Sequence, residues 1–92
     1  MPLLFNIESN KNIAEVKINN KVFRQVDLSK DDIFMIDTED GKNVVKVEGG
    51  KIAIIEADCP DKICVKTGAI SKVGAVIACV PHNILILIKH AV

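Results

Sequence analysis

Short β-branched runs broken by tight-turn signals dominate this chain, and that punctuation restricts it to hairpins. Asn19-Asn20, Glu39-Asp40-Gly41-Lys42 and Gly49-Gly50 each interrupt a run rich in Ile and Val. Asn tolerates positive φ and Gly supplies it without steric cost, which is what two-residue hairpin turns require. Between the turns the pattern has a period near two. Ile13, Glu15 and Lys17 alternate with Ala14, Val16 and Ile18. Lys21–Leu28 sets Val22, Arg24, Val26 and Leu28 on one face and Phe23, Gln25 and Asp27 on the other. Polar Ser29–Asp32 is a turn, and Ile33–Thr38, Asn43–Glu48 and Lys51–Ala57 are three further strands. Near the C-terminus, turns at Ser71–Gly74 and Pro81-His82-Asn83 bound strands Ala75–Val80 and Ile84–Lys89. The unbroken apolar stretch Ile84–Ile88 predicts a strand covered on both faces. Regular short strands with frequent turns predict an all-β fold of antiparallel hairpins, a compact β-sandwich or barrel-like domain.

One interruption breaks the strand pattern. Cys59-Pro60-Asp61-Lys62-Ile63-Cys64-Val65-Lys66-Thr67-Gly68 predicts one short helix near residues 60–67. Pro60 suits the first helical position, Asp61 and Lys66 match the helix dipole, and Gly68 fits the left-handed position past the end. Cys59 then falls at the N-cap, pushed toward extended angles by the following proline.

Size and charge narrow the function classes. Ninety-two residues accommodate one domain, 1–92, and an apolar fraction of 49% provides a core. Twelve basic and twelve acidic side chains cancel, and the aromatic residues are three phenylalanines. Strong nucleic-acid readers rely on basic patches and stacking platforms, so none is expected here. No stretch approaches the ~20 apolar residues of a membrane span, and Met1–Phe5 is too short, and lacks the basic start, for a secretion signal. Exposed sheet edges allow a weak dimer; otherwise a monomer is expected.

The run Glu56–Gly68, followed by Ile70-Ser71-Lys72, Gly74 and Ile77-Ala78-Cys79-Val80-Pro81-His82, resembles the stand-alone proteins related to the second domain of the transcription factor NusG. Cys-Pro-Asp-Lys-x-Cys is its most specific part. The likeness is strong over the C-terminal half and extends to the N-terminal half as strand pattern. It implies a β-sandwich or barrel-like domain with one short helical segment. It also implies that many relatives are small bacterial proteins held outside the cytoplasm by an N-terminal membrane anchor. An extracytoplasmic location in a longer, anchored form is therefore the expectation, with a cytoplasmic one as the alternative. The polymerase-binding and KOW domains of NusG have no counterpart here, so antitermination does not carry over.

The residues with chemical potential are Cys59, Cys64, Cys79 and His82, spaced Cys-x4-Cys-x14-Cys-x2-His. Zinc takes such ligands from two knuckles; Cys79 and His82 fit that spacing and Cys59 and Cys64 lie at its loose edge. A Rieske-type cluster would need a histidine in each knuckle, and the first has none. A disulfide is an alternative. On one continuous helix Cys59 and Cys64 would diverge by about 140°, so their pairing requires Cys59 to lie outside it. A Cys64–Cys79 bridge would close a loop of about 15 residues, worth roughly 3 kcal/mol in the chain-entropy picture. Three reduced core thiols are the third alternative. His82, after a proline in a turn, reads most simply as a solvated loop residue, and His90 as a tail residue. Asp58 and Asp61 read as capping and dipole residues, the lysines as a solvated surface. Gly49-Gly50 belongs to no phosphate-binding motif. The expected function is a non-catalytic interaction or accessory domain of the bacterial cell envelope with an unidentified protein partner and no cofactor. A redox or metal-carrying accessory role, with zinc as the metal, is the alternative; weak nucleic-acid binding by analogy with NusG is the second.

Overall fold

The computed structural model describes residues 12–60 and 62–90. Among the described residues seven strands run β1 (Asn12–Ile18), β2 (Lys21–Asp27), β3 (Asp32–Thr38), β4 (Gly41–Glu48), β5 (Lys51–Ala57), β6 (Val76–Cys79) and β7 (Ile84–His90). One turn of helix, α1 (Ile63–Lys66), follows β5, and a 3₁₀ turn, Val80–His82, joins β6 to β7. Their pairings are antiparallel, in a four-stranded sheet ordered β2-β1-β7-β6 and a three-stranded sheet ordered β3-β4-β5. The fold is all-β, as its turn pattern predicts.

The hairpins form where the turn chemistry demands. Asn19 and Asn20 have φ of 55° and 67°, and Gly49 and Gly50 of 62° and 79°. Positive φ at both positions matches the twist of the flanking strands. Asp27 accepts hydrogen bonds from the Ser29 amide and hydroxyl at 2.9 and 2.6 Å, which turns the chain between β2 and β3. The β3–β4 turn is only Glu39-Asp40, because Thr38 pairs with Gly41 and Gly41 already begins β4.

Two bulges reset the alternation. Val16 and Lys17 face Arg24 and Val22, which leaves Phe23 as an extra residue in β2. Val44 and Val45 face Glu56 and Ile54, which leaves Ile55 as an extra residue in β5. Phe23 and Ile55 are accordingly turned outward and exposed, and Val22 is exposed as well. The two faces expected for β2 therefore do not hold: only Val26 and Leu28 of its apolar set enter the core.

Inner faces of both sheets supply one core cluster. Ala14, Val16, Ile77, Ile86 and Ile88 come from one sheet; Ile36, Val45, Val47, Ile52 and Ile54 come from the other. Each valine or isoleucine among them contributes roughly 1.5–3 kcal/mol by leaving water. β7 buries Ile84, Ile86 and Ile88 and only partly covers Leu85 and Leu87, so its second face is half-shielded rather than packed. That second face neighbours Glu15, whose carboxylate accepts from Gln25 and pairs with Lys89 and Lys17 at 3.5 and 3.7 Å. The Gln25 bond and the two ammonium groups hold the Glu15 carboxyl below the usual range.

The helix is shorter than the sequence suggests. α1 begins at Ile63, and Lys62 before it is left-handed with φ of 55°. Cys59 is therefore not its N-cap, and Pro60 is not its first residue. Asp61 lies outside the described residues. Thr67 ends the turn, and Gly68 follows with φ of 80°. One turn of helix has no stability of its own; it is held by Cys64, which is buried in the core.

Candidate functional site

The β5 bulge is what points Cys59 inward. Ile52 and Ile54 are buried before it, and Ala57 and Cys59 after it. Without the extra residue, Asp58 would face the core and Cys59 the solvent. Cys79 reaches the same place from the end of β6, whose inward residues are Ile77 and Cys79. Cys64 arrives from α1. The three sulfurs lie within 4.8 Å of one another, with Cys59 and Cys64 at 3.6 Å. All three thiols are free and almost fully buried. The structure thus places Cys59 outside the helix, the condition on which its approach to Cys64 depended.

His82 is not a solvated loop residue. It is 3% exposed, because the 3₁₀ turn folds its ring inward beneath β4. Its Nδ1 lies 2.6 Å from Asn43 Oδ1 and its Nε2 lies 3.2 Å from Asp58 Oδ1. Both neighbours are acceptor oxygens, so the doubly protonated ring donates to both and a neutral ring to only one. Asn43, wholly buried, donates its amide to Cys64 Sγ at 3.7 Å. The result is one chain of contacts: Asp58, His82, Asn43, Cys64. His82 itself stands behind Asn43 and is not among the clustered sulfur donors. Asp58 also accepts from the Lys42 amide at 3.1 Å, so it anchors the β4 start and the histidine rather than the helix.

Sequence reasoning overlooked Asn43 and Gly41. Asn43 occupies the inward phase of Asn43, Val45 and Val47, where a polar residue without a turn to make is a signal of a buried contact. Gly41 has φ of 146°, and a Cβ there would overlap the His82 ring and the Asp58 carboxylate. It therefore gives the histidine room. His90, by contrast, is the last residue of β7 and pairs with Asn12.

Burial, together with contacts to the two neighbouring thiols, pushes the Cys64 thiol up from 9.0 to about 12. A protonated thiol is a poor nucleophile, so iodoacetamide should label Cys64 only as the chain unfolds. The linkage has a definite sign. Stability from the neutral thiol is complete below pH 9.0 and is lost as pH rises toward about 12. Urea unfolding across alkaline pH should show this loss in the wild type and not in Cys64→Ala.

Residues 1–91 match the protein-family model described as NusG domain II. The chain belongs to the NusG domain II family. Solved structures of similar proteins agree with its fold. The Lin0431 protein of Listeria innocua is 32% identical, with a TM-score of 0.82 over 89% of this chain and 99% of that one. A DUF1312 family protein of Enterococcus faecalis is 34% identical, with a TM-score of 0.83 over 88% of this chain and 99% of that one. A DUF1312 family protein of Ruminococcus gnavus is 32% identical, with a TM-score of 0.75 over 85% and 97%. No curated protein matches. Among the described residues no helix is long and apolar enough to cross a membrane.

Proposed function

We propose that this domain is a non-catalytic binding module of the bacterial cell envelope that docks a protein partner on the outer face of β3-β4-β5. The observation that carries this reading is the apolar character of that face. Ile33, Met35 and Ile55 are 58%, 54% and 41% exposed. A groove of about 380 Å³ runs between Met35, Val44, Ile55 and Val65, with Lys42, Lys62, Glu56 and Asp58 supplying its polar lining. Large apolar groups gathered in a groove with a polar rim suit a partner that inserts apolar side chains. The non-catalytic part of the reading rests on the site: its thiols are buried, and Asn43 separates the histidine from them. The envelope location rests on the family resemblance.

The test is a photo-crosslinking residue placed at position 35 in living cells, with a second at Val22 on the other sheet as control. One protein captured from position 35 alone, and lost on Ile55→Glu, is the expected result. Equal capture from both positions, or none, would overturn the docking face. Recovery of the native protein from the cytosol would overturn the location. Titration with RNA and DNA at low salt, where electrostatic binding is strongest, should be flat.

A further inference from the structure

We propose that Cys59, Cys64 and Cys79 form a three-sulfur site for monovalent copper. Three sulfurs around one ion, with metal–sulfur bonds of about 2.3 Å, sit about 4 Å apart. The observed cluster spans that distance: Cys59 and Cys64 at 3.6 Å, and all three within 4.8 Å. The donors come from three separate places, the segment just past β5, α1 and the end of β6, and converge in the folded chain. Among the described residues no further His, Cys, Asp or Glu donor joins them. Zinc favours four ligands, whereas soft thiolates in a small, enclosed set select Cu(I). Burial of all three sulfurs shields the ion from oxidation and excludes water as a fourth ligand.

Binding breaks three S–H bonds, forms three S–Cu bonds and sends three protons to solvent; copper keeps its oxidation state. The site then carries excess negative charge. Asn43 offsets part of it by donating to Cys64 Sγ, and its oxygen in turn accepts from His82, which Asp58 orients. Such outer contacts fix ligands and tune the ion.

Fully reduced protein is titrated anaerobically with Cu(I) held by a competing chelator, then alkylated at a urea concentration just sufficient to unfold the metal-free chain, where an ion bound only by the folded state keeps it folded. One equivalent should protect all three thiols and release three protons. Cys59→Ser, Cys64→Ser and Cys79→Ser should each abolish the one-to-one step. Because a buried serine can impair folding, the wild-type protection assay stands as a separate readout. Absence of thiol protection overturns the proposal. So does protection retained in all three variants, tighter binding of Zn(II) than of Cu(I), or closure of a Cys59–Cys64 disulfide by oxidised glutathione despite added Cu(I).

Discussion

Gly41→Ala is expected to destabilise the protein by roughly 3 kcal/mol or more, a size reserved for core strain or lost buried contacts. Two costs combine. The φ of 146° is unfavourable for any residue with a Cβ, and the new methyl would occupy space held by the His82 ring and the Asp58 carboxylate. Neither neighbour yields easily. Asp58 is tied to β4 through the Lys42 amide, and its own amide donates back to the Lys42 carbonyl at 3.2 Å. His82 can move only by releasing Asn43. Urea unfolding measures the loss. In a His82→Ala background the same substitution should cost less than half as much. An undiminished cost would show that backbone strain and the Asp58 contact are responsible and that Gly41 does not serve the histidine.

Asn43→Ala should cost roughly 2–4 kcal/mol. The side chain is wholly buried between His82 and Cys64. Its removal strands the His82 Nδ1 away from water, at about 1–3 kcal/mol, and leaves a small cavity that adds to this. The amide also separates a ring from a sulfur, so its loss lets the 3₁₀ turn sag inward. Chemical unfolding with an unchanged denaturant slope, together with a shift of the His82 ring resonances, would support this account. A cost below about 0.5 kcal/mol, within the range of an ordinary surface change, would mean that Asn43 is not a structural link.

Much of the framework was legible because turns are local. Asn19-Asn20 and Gly49-Gly50 declare their backbone angles within two residues, and the strands between them follow. The three cysteines were legible as a group for a related reason: Cys59 follows β5, Cys64 lies in α1 and Cys79 ends β6, each at or beside a recognisable element. The bulges were not. An extra residue in a β-branched run, such as Ile55 after Ile54, looks like ordinary continuation, yet it decides that Cys59 and not Asp58 turns inward. The helix was overestimated because Cys59-Pro60 carries every local start signal, while the left-handed Lys62 delays the first turn. His82 was misread because its burial depends on Asn43, which lies 39 residues away. Nothing near position 82 reports that partner.

The strand order also sets a timetable. β3, β4 and β5 are joined by consecutive hairpins, so their meander closes from neighbouring sequence. The other sheet cannot do so, because β1 lies between β2 and β7, with Asn12 opposite His90. Loops that long close late. During synthesis the meander is complete while β1 and β2 still wait as a lone hairpin for the last strand to leave the ribosome. Cys79 and His82 belong to that late segment, so the sulfur cluster is expected to assemble in the final step of folding. Until then Cys59 and Cys64 stand at an open edge, within reach of whatever chaperone, oxidant or metal carrier meets the emerging chain.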